Sequence, residues 1–237
     1  MGGKLNYFLC IVVSFVTLLY SCKATGTDHK KNKPKRMYTY LALGDSYTIG
    51  EQVHLHDNFP YQSVKLLKEK KVEVCDPVII ATTGWTTDEL DAAIREHNIH
   101  EHFSFVTLLI GVNNQYRGRS LENYRVEFTQ LLSEAITFAG GKAEHVFVLS
   151  IPDWGVTPFA EGKDRQKIAS EIDQYNAANK EISAANKCHY IEITGSTRKN
   201  GQVKEFLADD GLHPSAKEYA VWADKLAAEV EKTIKNY

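Results

Sequence analysis

The sequence predicts an α/β protein: a three-layer α/β/α sandwich built on a five-stranded parallel sheet. Three observations lead there. From Met37 onward, five short apolar runs alternate with segments whose apolar residues recur at helical spacing. The runs are short and continuously apolar, as in strands buried on both faces, and a helix follows each one, so parallel pairing with right-handed crossovers is the economical arrangement. The loops after the first three runs are rich in glycine and small polar residues, and in such sheets the ligand sits at the carboxyl ends of the strands. The expected strand order is 2-1-3-4-5.

The elements follow in order. "YTYLALG" (38–44) is the first strand, and "YQSVKLLKEKK" (61–71) carries apolar residues at helical spacing. "VIIAT" (78–82) precedes "TTDELDAAIREHN" (86–98), where Thr87 and Asp88 are the N-cap candidates. "FVTLLIG" (105–111) leads to "SLENYRVEFTQLLSEAITFAGG" (120–141), with Ser120 placed to cap and Gly140 and Gly141 to end the helix. "HVFVLSIP" (145–152) precedes a loop and the amphipathic "DRQKIASEIDQYNAANKEISAAN" (164–186). "HYIEIT" (189–194) is the fifth strand, and the last helix lies within "SAKEYAVWADKLAAEVEKTIKNY" (215–237). No internal repeat is present.

Composition supports one sizeable domain: 237 residues, 43% hydrophobic and 24% charged. The net charge of -2 conceals an asymmetry. Residues 1–36 carry +6, which leaves -8 for the remainder, a balance that does not favour a nucleic-acid partner. Lys4 precedes an apolar stretch from Leu5 to Tyr20, short for a spanning helix and suited to the core of a signal peptide. It ends in "LLYSC", which resembles a bacterial lipoprotein cleavage box with Cys22 as the lipid-attachment residue. The expected organisation is a lipoprotein signal peptide over 1–21, a lipidated cysteine and basic tether over 22–36, and the folded domain over 37–237. An ordinary secretory signal or an uncleaved anchor is the alternative. The lipoprotein reading implies export to the bacterial cell envelope and membrane attachment through the N-terminal lipid.

The chemistry gathers in loops. Ser46 stands just past the first strand in "GDSYTIG" (44–50). A serine hydroxyl attacks an acyl carbon only when a base takes its proton. "ADDGLHPSA" (208–216) supplies His213 as that base, with Asp210 three residues earlier to orient the imidazole through a turn at Gly211. An oxyanion needs preorganised donors. The backbone N–H of Gly84 in "TTGWTT" (82–87), the side-chain amide of Asn113 in "GVNNQ" (111–115) and the N–H of Ser46 are the candidates. Asp45 reads as structural, accepting backbone hydrogen bonds within its turn. The G-x-S-x-G elbow of α/β-hydrolases is absent around Ser46.

These four blocks, "GDSYTIG", "TTGWTT", "GVNNQ" and "DGLHP", resemble the ordered blocks of the SGNH (GDSL-type) hydrolases, nearest to the small lysophospholipase/thioesterase-type esterases. The resemblance runs from about residue 38 to the C-terminus. It implies a flavodoxin-like sandwich and a serine ester hydrolase working through an acyl-enzyme. Ser46 is then the nucleophile, Asp210 and His213 the acid–base pair, and Ser46, Gly84 and Asn113 the oxyanion donors. Two positions depart from the family pattern. Tyr47 replaces the leucine of GDSL, and Asn114 stands where an aspartate commonly follows the oxyanion asparagine.

The expected substrate is a small acyl ester, with no cofactor and no metal, and the expected state is a monomer. A carbohydrate acetylesterase of the same fold is the second enzyme reading; a flavodoxin-like binding module or an inert lipoprotein scaffold is the alternative outside catalysis. His54 and His56, and the trio His97, His100 and His102, have spacings conceivable for a metal but read as surface histidines. Trp85 either lines an acyl pocket or packs its loop. Arg117 and Arg119 read as solvated rather than as headgroup binders. Cys75 and Cys188 precede the second and fifth strands, at opposite edges of the expected sheet, and should be unpaired.

Overall fold

A computed structural model describes residues 37–235. The expectations for Cys22, the signal peptide and the tether lie outside the described residues. The sheet has five parallel strands, β1 (Tyr40–Asp45), β2 (Val78–Thr82), β3 (Phe105–Leu109), β4 (Val146–Leu149) and β5 (His189–Ile191), in the order β2-β1-β3-β4-β5. The expected sandwich and strand order are borne out. β1 lies at the centre, with Leu43 in register with Ile80 on one side and Leu108 on the other. Tyr40, Leu41, Ala42 and Leu43 are buried, as are all five residues of β3. Removing one such side chain, as in Leu43→Ala, costs about 2–5 kcal/mol.

The helices are α1 (Ser46–Ile49), α2 (Phe59–Glu69), α3 (Thr87–His97), α4 (Val112–Tyr116), α5 (Leu121–Phe138), α6 (Arg165–Ala185), α7 (Thr194–Asn200) and α8 (Ala216–Lys235). The chain moves from β1 to β2 in one direction across the sheet and from β2 through β5 in the other. Right-handed crossovers therefore put α2 on one face and α3, α5 and α6 on the opposite face. The contacts agree: α8 returns to pack on α2, and α5 packs between α3 and α6. Asn58 caps α2 and Ser120 caps α5. α3 differs from expectation by one residue. Thr86 is its cap, because Glu89 turns back to accept the Thr86 N–H at 2.9 Å, leaving Thr87 and Asp88 in the first turn. Cys75 and Cys188 are both free.

The consequence for function is geometric. The turns after β1, β2 and β3 all emerge at the carboxyl rim of the sheet, and the segment before α8 reaches the same rim.

Candidate active site

At the end of β1 the chain turns directly into α1, with Ser46 as the first helical residue. The Asp45 carboxylate closes the turn by accepting the Tyr47 N–H at 3.0 Å. Asp45 is 1% exposed. Burial pushes its carboxyl up to about 7, against the smaller opposing pull of hydrogen bonds from the Tyr47 backbone and its own. Tyr47 is buried, with its ring centroid 5.1 Å from that of His213 and 6.3 Å from that of Trp222. The residue that departs from the GDSL motif thus packs against the imidazole.

The segment before α8 folds back on itself. Leu207 bridges Pro214, the Ala208 N–H donates to the His213 carbonyl at 2.8 Å, and the Ser215 N–H donates to the Phe206 carbonyl at 3.0 Å. Gly211 turns the loop at φ +66°, a conformation other residues adopt only with strain. Within this loop one Asp210 oxygen accepts the N–H groups of Leu212 and His213 at 2.9 and 3.0 Å. Its other oxygen lies 2.5 Å from His213 Nδ1. Partial burial would raise the Asp210 carboxyl, but the His213 side chain and these two N–H groups outweigh it and hold the group below its ordinary value. On the far side of the ring, His213 Nε2 lies 3.0 Å from Ser46 Oγ. Ser46, His213 and Asp210 therefore form one hydrogen-bonded line, although Ser46 and His213 are 167 residues apart.

Gly84 sits in the turn after β2 at φ +83°, and nothing closer than the end of Arg117 would meet a side chain there. The lack of a Cβ leaves its backbone open to a ligand. From the turn after β3, Asn113 Nδ2 donates to the Trp85 carbonyl at 3.0 Å. Its second contact, to Asp45 Oδ2, is 3.5 Å long, which leaves that hydrogen available to a better acceptor. The buried Asn114 joins the two turns: its Oδ1 accepts the Thr87 N–H at 3.1 Å and its Nδ2 donates to Thr87 Oγ1 at 2.6 Å. The second departure from the family pattern is thus a brace between the second and third blocks.

Ser46, Gly84, Asn113 and His213 all line one cleft of about 510 Å³. A neighbouring cavity of about 300 Å³ shares Tyr47, Trp154 and Leu212 with it but contains none of those four residues, so the candidate residues meet in the larger of the two. The cleft is also bounded by Tyr116, Trp154 and Phe159. Their rings contact one another, with centroids 5.2 to 6.3 Å apart. Trp154 is fixed by its indole N–H, which donates to Gln115 Oε1 at 2.7 Å, whereas Tyr116 and Phe159 are 52% and 44% exposed.

Residues 42–221 match the model of the GDSL-like lipase/acylhydrolase family. The chain belongs to this family. It is a serine hydrolase acting on ester bonds. The GDSL-like hydrolase is 25% identical over 208 residues to the spore germination lipase LipC of Bacillus licheniformis, covering 80% of this chain and 94% of that relative. In fold it is similar to TesA, with a TM-score of 0.65 at 16% identity over 82% of this chain and 99% of the other. Axe2, an acetylxylan esterase from Geobacillus stearothermophilus, gives a TM-score of 0.65 at 19% identity, covering 81% of this chain and 94% of that one.

The hydrolase thus brings together all five side chains or backbone sites that the sequence singled out at its rim: Ser46, Gly84, Asn113, Asp210 and His213. Trp85 does not line the cleft; it packs against the edge of the core. His54, His56, His97, His100 and His102 are exposed, and among the described residues no group of three metal-binding side chains converges. Sequence reasoning missed Tyr116, Trp154 and Phe159. Their signal was position, since they follow β3 and β4 at the rim where the reactive loops emerge.

Proposed function

We propose that the protein hydrolyses acyl esters through Ser46, activated by His213 as general base and oriented by Asp210. The observation that carries the reading is the 3.0 Å separation of His213 Nε2 from Ser46 Oγ, with Asp210 on the other ring nitrogen. Ser46 Oγ attacks the ester carbonyl while His213 takes the proton; the oxyanion is met by the N–H groups of Ser46 and Gly84 and by Asn113 Nδ2. His213 then protonates the departing alcohol or thiol, and a water activated by the same imidazole releases the acid. No cofactor is called on.

The substrate is an ester or thioester with an acyl chain longer than acetyl, of the lysophospholipid or acyl-thioester kind. The apolar wall of Tyr116, Trp154 and Phe159 supports this, since an acetyl group would leave most of it in water. The similarity to Axe2, an acetylxylan esterase, favours acetylated carbohydrate as the second reading. The protein acts as an exported monomer, held to a cell-envelope membrane by lipid on Cys22, with no nucleic-acid partner; "LLYSC" and the basic tether support that placement.

A series of p-nitrophenyl esters tests the reading. Each methylene taken from water is worth about 0.8 kcal/mol, roughly fourfold in rate. Esters of four to eight carbons should therefore exceed acetate by about tenfold or more in kcat/KM, and Ser46→Ala should remove at least about 10⁴ of kcat. Acetate as the best substrate would select the carbohydrate reading. Undiminished turnover in Ser46→Ala would dismiss both.

A further inference from the structure

Arg117 looks from its sequence like one more solvated arginine, yet it bonds to both halves of the candidate oxyanion site. Its backbone N–H donates to the Asn113 carbonyl at 3.0 Å and ends α4. Its guanidinium crosses to the turn after β2, where Nη2 donates to the Gly84 carbonyl at 2.6 Å. The other terminal nitrogen, Nη1, pairs with Glu89 Oε1 at 3.0 Å. Glu89 is itself fixed, because its second oxygen accepts the Thr86 N–H at 2.9 Å in the cap of α3. Arg119 repeats the crossing one step outward, donating to Asp88 at 2.6 Å.

The turn at Gly84 needs such a hold. A glycine at φ +83° gives a backbone N–H open access, but its own conformational freedom is the largest of any residue, so the direction of that N–H must be set from outside. The adjoining carbonyls receive two donors from α4 and its C-terminal cap, Arg117 on Gly84 and Asn113 on Trp85. Oxyanion donors stabilise a transition state because they are already aimed at it, and a misaim of about an ångström forfeits much of the effect.

We infer that Arg117 is a positioning residue, whose guanidinium clamps the Gly84 carbonyl, in the peptide plane directly after the one that carries the Gly84 N–H, and so restrains the turn that sets the spacing between that N–H and the Asn113 amide. It does not touch substrate. This inference rests on the proposed Ser46 chemistry. The clamp is chosen for planar, two-pronged geometry: one nitrogen on the carbonyl, the other on Glu89. A lysine can reach one of these partners at a time.

The test compares wild type, Arg117→Ala and Arg117→Lys on a p-nitrophenyl ester, with kcat and KM measured separately. Affinity for an alkylboronic acid, whose serine adduct carries a negative oxygen, is measured alongside. The Arg117–Glu89 pair lies at the surface, its side chains 41% and 38% accessible, so its loss should change stability little and leave the variants folded. Arg117→Ala should lower kcat about tenfold or more with KM within twofold, and boronate affinity should fall with kcat. Arg117→Lys should recover part of both. A kcat within twofold of wild type in Arg117→Ala overturns the inference, as does a loss confined to KM with boronate affinity unchanged. If wild type shows no turnover that depends on Ser46, the functional reading itself fails, and the two failures are distinguishable.

Discussion

Two aspartates flank the reactive residues, one in the turn after β1 and one in the loop before α8, and their surroundings drive them in opposite directions. Asp45 is 1% exposed, and apart from the long contact from Asn113 its hydrogen bonds come from backbone within its own turn. Burial wins there, and the carboxyl is raised to about 7. Asp210 keeps 28% of its side chain accessible and accepts from His213 Nδ1 and from two backbone N–H groups. There the donors win, and the carboxyl is lowered. Each aspartate adjoins a reactive side chain, but only Asp210 is equipped to remain an anion beside an imidazolium. Adjacency in sequence does not assign a role. The count of donors against the cost of burial does.

The largest effect should come from Asp210→Asn. An amide at that position favours the wrong imidazole tautomer, and the Ser-His-Asp precedent loses about 10⁴ in kcat this way. A loss of about 10² to 10⁴ is expected here. A loss under tenfold would put Asp210 on the same footing as Asp45 and break the comparison.

Stability against pH sharpens it further. Folded Asp45 keeps its proton up to about 7, whereas the unfolded chain releases it near ~3.9. Its contribution to stability is therefore complete below about pH 4 and is lost as pH rises through about 7. For Asp210 the sign reverses: its contribution is present above ~3.9 and disappears as pH falls through the lowered folded value. Denaturant titrations from pH 4 to 8 should show Asp45→Asn gaining on wild type as pH rises, with kcat reduced by less than about tenfold. In titrations extended down to about pH 2, Asp210→Asn should lose on wild type as pH rises to about 5 and run parallel to it above that. Slopes of the same sign in both variants would contradict the assignment of causes. The smallest effect belongs to Asp209→Asn, an exposed neighbour of Asp210, for which kcat should stay within about twofold.

Much of the fold was legible because its signals are local. Continuous apolar runs such as "VIIAT" and the helical spacing in residues 164–186 report burial without knowledge of what lies opposite. The cap of α3 was misplaced by one residue because Thr86, Thr87 and Asp88 can all cap, and only the return of the Glu89 side chain chooses among them. Ser46, Asp210 and His213 could be found because "GDSYTIG", "TTGWTT", "GVNNQ" and "DGLHP" occur together and in order; "GDS" or "DGLHP" alone would read as an ordinary turn. Arg117 could not be read so. Its partners Gly84 and Glu89 lie 33 and 28 residues away, and nothing in "YRGRS" tells a clamping arginine from a solvated one. The same holds for the cleft wall, where Tyr116, Trp154 and Phe159 meet only because β3 and β4 are neighbours. Asp45 was recognisable as a turn residue, but its raised carboxyl depends on the burial of the whole β1 end.

The central claim is that Ser46 is an activated nucleophile, and covalent capture tests it most directly. A fluorophosphonate should react with the native protein, and peptide mass spectrometry should locate a single phosphonyl group on Ser46, with the rate of labelling reduced in Asp210→Asn in step with kcat. A phosphonyl group found on any other residue, or labelling that persists undiminished in Ser46→Ala, would contradict the account.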